Sequence, residues 1–237
     1  YTPWDDAKYI DWATSSREGT TVIRRYRQEK QGTILCVLDI SESLKFWWEI
    51  IKIELMQNIV TLLSYASFWS WSAMWGYILW DNESIYIPPK RDKTVLYKLL
   101  RQDSIQPRWI KEALSLREIL KSKMKKQIIF VISDSLNIDK RSFSIAALKH
   151  DIVYVHISSH FENTLSGSGI SLLKGKKNIF WINLDSQDKK KLYTEKRKMK
   201  LNNFAKELKQ INIDSVFLNE KSNVFSEFLK LMKSREK

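Results

Sequence analysis

The sequence predicts an α/β fold of three layers, a mostly parallel central sheet flanked by helices, on three observations. Residues 33–38 (TILCVL) form an apolar run that stops at Asp39. Residues 127–133 (QIIFVIS) form a second that stops at Asp134. Such runs, bounded by polar residues, read as strands buried on both faces, as parallel strands are. Segments of helical period separate these runs and the later ones, the alternation that builds a doubly wound, Rossmann-type sheet. With 237 residues, 43% of them hydrophobic and only 6 Gly and 4 Pro, the chain has enough apolar material for one sizeable core and is not linker-rich.

Taken in order, residues 1–30 are polar and aromatic and are expected to form an extended arm, with residues 21–26 as an edge strand carrying Arg24 and Arg25. Residues 31–237 are expected to form the main domain. After the first strand, Ser41 and Ser43 follow Asp39 at alternate positions, and residues 44–68 read as a long helix. From Ile59 to Trp80 there is no charged residue, a length that could span a bilayer. Thr61, Ser64, Ser67, Ser70 and Ser72 interrupt the run, so a helix end, a turn and a strand over residues 73–79 are predicted instead. Residues 84–87 read as a strand ended by Pro88-Pro89, with Asp81-Asn82-Glu83 as the turn before it. Two helices are expected over residues 93–101 and 109–121. Beyond Asp134 come a helix over residues 142–149, a strand over residues 152–157, a loop over residues 161–175 and a strand over residues 178–183. A long basic helix over residues 189–211, a strand over residues 214–218 and a closing helix over residues 224–232 complete the chain.

In open α/β sheets a ligand sits beyond the carboxyl ends of the strands, which is where Asp39 and Asp134 fall. A carboxylate with two nearby hydroxyls is a set of hard oxygen ligands suited to Mg²⁺. The alternative for each aspartate is an N-cap on the following helix. His156 and His160 have a zinc-like interval, but no Cys or third His lies close to them. The Ser166-Gly167-Ser168-Gly169 turn lacks the Lys-Ser/Thr of a phosphate loop. Cys36, the one cysteine, lies inside a strand and reads as a small core residue in a reducing compartment. The net charge of +13 favours an acidic partner. Nucleic acid is disfavoured, because the ten Trp are not interleaved with lysine as a stacking groove requires.

Residues 1–46 carry a specific resemblance. Tyr1, Pro3, Asp5, Asp6, Ile10, Asp11 and Trp12, then an Arg-rich stretch, then Asp39-x-Ser41-x-Ser43, match in order the signature of the bacterial family called domain of unknown function 58. Trp4 stands where that family usually has Gly. The resemblance extends over nearly the whole chain and implies a von Willebrand factor A-like domain. It implies a metal-ion-dependent adhesion site at Asp39, Ser41, Ser43 and Asp134, with Ser135 a further oxygen ligand and Mg²⁺ or Mn²⁺ as the ion. The family's usual threonine ligand is missing: alignment puts Arg108 there, with Ser104 or Asp103 as possible substitutes from the loop. Three readings follow. The ion is held with extra waters, or Arg108 replaces it by pairing with Asp39 or Asp134, or the site is a vestige in a protein-binding fold. The resemblance further implies a non-catalytic adaptor of a MoxR-type AAA+ ATPase in the chaperone-like maturation of other proteins, docking an acidic face of a partner. A Mg²⁺-dependent phosphohydrolase is the enzymatic alternative; it lacks a second acid beside Asp39 and a recognisable phosphate motif. A cytoplasmic location is expected. Because the first residue is Tyr, any membrane association is assigned to residues upstream of Tyr1.

Overall fold

A computed structural model describes residues 10–23, 32–40, 49–70, 72–80, 83–91, 116–121, 125–174 and 179–235. The chain divides into two compact units, residues 1–31 and 32–237.

In the first unit, the described part holds a helix where an extended arm is predicted. Helix α1 (Trp12–Glu18) starts because the Asp11 side chain accepts a hydrogen bond from the Thr14 backbone N–H at 3.1 Å. It stops because Gly19 takes a left-handed conformation, φ 66°, that suits a residue without a Cβ. An antiparallel bridge joins Ile10 to Ile23. The remainder of the predicted edge strand lies outside the described residues.

The second unit is built on a six-stranded sheet. Its strands are β1 (Thr33–Ile40), β2 (Ala73–Trp80), β3 (Glu83–Lys90), β4 (Ile128–Ser133), β5 (Asp151–Ile157) and β8 (Asp214–Leu218). Their order is β3-β2-β1-β4-β5-β8. All neighbours are parallel except β2 and β3, which form an antiparallel hairpin. The prediction that Pro88-Pro89 end β3 is corrected: the strand runs through them to Lys90. Proline donates no hydrogen bond, and an edge strand has one side on which none is needed.

Two apolar layers cover the sheet. On one face, Ile34, Cys36 and Leu38 pack with Leu55, Met56, Ile59 and Leu63 of α2 (Glu49–Trp69) and with Phe228 and Leu231 of α7 (Val224–Arg235). On the other, Leu35, Val37, Ile129 and Val131 pack against α3 (Leu116–Lys121), α4 (Lys140–Ala147) and α6 (Gln187–Gln210). Both faces of β1 and β4 are therefore dry, which is why their sequences are continuous apolar runs instead of alternating ones. The uncharged segment after Ile59 is the end of α2, a turn and β2. Among the described residues no helix is long and apolar enough to cross a membrane.

The loop predicted over residues 161–175 is also corrected. Ser159 and Glu162 form a capping box that starts α5 (His160–Thr164). Strand β6 (Ile170–Lys174) then pairs antiparallel with β7 (Ile179–Asn183), and this hairpin is a separate sheet from the central one. The Ser-Gly turn connects α5 to β6, with Gly167 and Gly169 at positive φ.

Candidate functional site at the strand ends

Strand β1 runs to β2 and β3 on one side, and the chain then returns to place β4 on β1's other side. The order therefore reverses between β1 and β4, and at such a point the connections on the two sides diverge and leave a crevice beyond the strand ends. Asp39 and Ser133 are partners in the register of these two strands. The Ser133 hydroxyl donates to the Asp39 carboxylate at 2.8 Å. The register row continues from Ser133 to His156 on β5 and from His156 to Phe217 on β8.

Asp134 follows Ser133 and, by strand alternation, lies toward the opposite face, the one covered by α2. There it meets Lys52. The Lys52 ammonium is 3.2 Å from Asp134 Oδ2 and 2.6 Å from Glu162 Oε1. The Lys52 side chain is 1% exposed, that of Asp134 7% and that of Glu162 29%. Lys52 occupies this position because it lies one helical turn before Leu55 and Met56 on the buried stripe of α2. Glu162 has two tasks: one oxygen takes Lys52, and the other accepts the Ser159 backbone N–H at 3.2 Å. Long side chains of α6 hold α5 in place. The Tyr193 hydroxyl donates to the Glu162 carbonyl at 3.0 Å, and Arg197 Nε donates to Asn163 Oδ1 at 3.3 Å.

Two further buried groups line this edge. The Tyr154 hydroxyl donates to the Ser135 carbonyl at 2.8 Å, and burial first of all, then the charges of Asp39 and Asp134, raise its pKa. His156 is fully buried and neither ring nitrogen makes a hydrogen bond. Burial first, then the charge of Arg197, push its pKa down to about 3, so it is neutral at ordinary pH. Its burial and its ring 5.6 Å from Phe217 make it a packed aromatic residue of the core. His160 lies at the start of α5, where its backbone N–H donates to Glu220.

Of the residues predicted for a metal site, the structure brings Asp39 and Asp134 to the same edge of the sheet. Ser135 follows them, its hydroxyl turned to the Asn137 carbonyl at 3.1 Å. Ser41, Ser43, Arg108, Ser104 and Asp103 lie outside the described residues. Asp139, not Asp134, occupies the N-cap position of α4, so the capping alternative for Asp134 is set aside. As placed, the described residues do not fit a divalent ion at Asp134. Its carboxylate is paired with an ammonium, and a second cation beside it would be repelled in a region of low dielectric. Among the described residues no group of three or more His, Cys, Asp or Glu is arranged to hold a metal.

Sequence reasoning missed Lys52, Glu162 and Ser133. The first had a signal: a lysine on the apolar stripe of a helix is almost never fully buried unless paired. So did the second, because Ser159-x-x-Glu162 is the capping-box spacing. Nothing local marks Ser133, whose role comes from its register with Asp39.

The structure of BatB from Bacteroides thetaiotaomicron is similar to this one, with a TM-score of 0.50 at 13% identity over 86% of this chain and 98% of that one. The SpRpn10 VWA domain has a TM-score of 0.45 at 9% identity, over 85% of this chain and 95% of that one. At these identities the likeness concerns the fold alone. No curated protein matches the sequence. The family described as Protein of unknown function DUF58 matches residues 1–201. The chain belongs to that family, and its fold is the three-layer α/β arrangement of a mostly parallel six-stranded sheet between helices.

Proposed function

We propose that this chain is a non-catalytic interaction module that docks a partner protein at the carboxyl edge of its sheet, working as an adaptor of a MoxR-type AAA+ ATPase in the maturation of other proteins. The observation that carries the reading is the cluster at the β1/β4 reversal, Asp39 with Ser133 and Asp134 with Lys52. In open α/β sheets ligands bind beyond the carboxyl ends of the strands at a reversal of strand order, and charged groups gathered there are candidates for a binding role. Asp134 is neutralised by an ammonium, which argues against the phosphohydrolase alternative, since that chemistry requires its carboxylates for the metal. Membership of the family supports the ATPase partnership through the resemblance described above. An acidic partner face suits the net charge of +13 and the exposed lysines of α6, among them Lys189, Lys196, Lys200 and Lys206. We place its work in the cytoplasm, where Cys36 stays reduced.

The test is direct binding between this chain and the MoxR-type ATPase of the same host, measured with ATP, with ADP and without nucleotide. Binding is expected with a nucleotide-dependent Kd, weakened at least tenfold by Asp39→Ala. Absence of binding in all three states, or a Kd unchanged by Asp39→Ala, overturns the reading.

A further inference from the structure

We infer that the Lys52 ammonium is the resident cation of this site, taking over at Asp134 the charge-balancing role that a divalent ion has in a metal-dependent adhesion site. Three observations combine. Lys52 is 1% exposed, so its charge is not a surface charge that happens to lie near an acid. It is held between carboxylates from two separate elements, Asp134 after β4 and Glu162 in α5, and so joins α2, the end of β4 and α5 at one point, as a bridging ion would. Its position on the apolar stripe of α2 leaves it no route to water while the helix stays packed, and an unpaired buried ammonium is strongly unfavourable. A divalent ion that took Asp134 would therefore share one carboxylate with the Lys52 ammonium, and two cations side by side in a region of low dielectric repel each other. Sequence alignment nominates Arg108 as the substitute cation, and the geometry assigns that part at Asp134 to Lys52.

The inference rests on reading the strand-end edge as a docking face only for its consequence, that docking there needs no metal. Its own test needs no partner, so the two fail separately. Melting temperatures are measured in EDTA and in millimolar Mg²⁺ or Mn²⁺ for the wild type, Lys52→Met and Lys52→Met/Asp134→Asn. The wild type is expected to melt at the same temperature in all conditions. Lys52→Met, which keeps the length of the side chain and removes its charge, is expected to melt lower and to recover several degrees with Mn²⁺. The double variant is expected to regain stability over Lys52→Met in EDTA and to show no metal response. A wild-type rise with Mg²⁺ or Mn²⁺ that Asp134→Asn abolishes overturns the inference, as does a folded Lys52→Met that ignores both ions. Should Lys52→Met fail to fold, the double variant decides: recovery of the fold upholds the charge pairing, and failure to recover overturns it.

Discussion

Two cationic side chains in this molecule each clasp two carboxylates, at opposite ends of the sheet, in very different surroundings. At the carboxyl end, Lys52 holds Asp134 and Glu162 with 1%, 7% and 29% of the side chains exposed. At the amino end, Arg235 holds Asp151 and Asp214 with 25%, 43% and 47% exposed. The second triad has the better geometry. The Arg235 guanidinium meets both oxygens of Asp151 at 3.0 Å and Asp214 Oδ2 at 2.7 Å, and so ties the last turn of α7 to the first residues of β5 and β8. It is a clamp on the surface, screened by water. The first triad has one bond per carboxylate but almost no solvent. The charge count is the same; burial decides which of the two the fold cannot lose.

The sharpest way to break this comparison is to remove each cation in turn. Lys52→Ala removes the ammonium from a buried carboxylate at Asp134, and breaking a buried pair in this way costs roughly 3–5 kcal/mol. Urea unfolding would show the midpoint fall by a corresponding amount, and an effect as small as that of a surface pair would show that water reaches the site. The same pole should respond to acid. His156 holds its proton off until about pH 3 in the folded chain, against 6.5 for the ordinary imidazole. The unfolded state therefore binds more protons between those values, so stability is complete above about pH 6.5 and declines as pH falls toward 3, by on the order of a few kcal/mol. A pH series of unfolding curves should flatten in His156→Leu and stay steep in a variant of the other pole.

Smaller effects sharpen the contrast. Glu162→Gln keeps an acceptor for the Ser159 N–H and removes one charge from Lys52, for which about 1–3 kcal/mol is expected. Arg235→Ala should cost about 1 kcal/mol, because its partners are half exposed. Its effect should shrink further in molar salt, and that of Lys52→Ala should not, since screening acts on exposed pairs far more than on buried ones. Equal salt sensitivity of the two variants would show that water screens both triads alike. Last, the Cys36 thiol, whose pKa burial pushes up to about 12, should react with a thiol reagent only when the chain unfolds.

How much of this was legible in the residues depends on the range of the interactions. Both buried strands and their closing aspartates follow from runs such as TILCVLD, because burial on two faces leaves no polar position until the strand emerges. Which strand lies beside which is not written in any of these runs; the order that sets β1 against β4 comes from the structure. The capping of α1 and α5 is written locally too, in Asp11 and in Ser159-x-x-Glu162, yet short helices with few apolar residues have a weak periodic signal, so periodicity predicts neither. The hairpin of β6 and β7 was missed for a related reason. Its second strand looks like any other short apolar strand, and nothing in Ile179 to Asn183 says which sheet it joins.

The sequence by itself determined the family, the α/β class, the two strand-end aspartates and the buried cysteine, because each depends on neighbours in the chain or on composition. Only the tertiary structure decided what those aspartates face. Ser133 reaches Asp39 through strand register across 94 positions of sequence, and Lys52 reaches Asp134 across 82. Those pairings depend on which strand lies beside which and on which turn of α2 covers the strand ends. A lysine on an apolar stripe is a sign of an unseen partner; the packing of α2 over β4 and α5 is what supplies the partner.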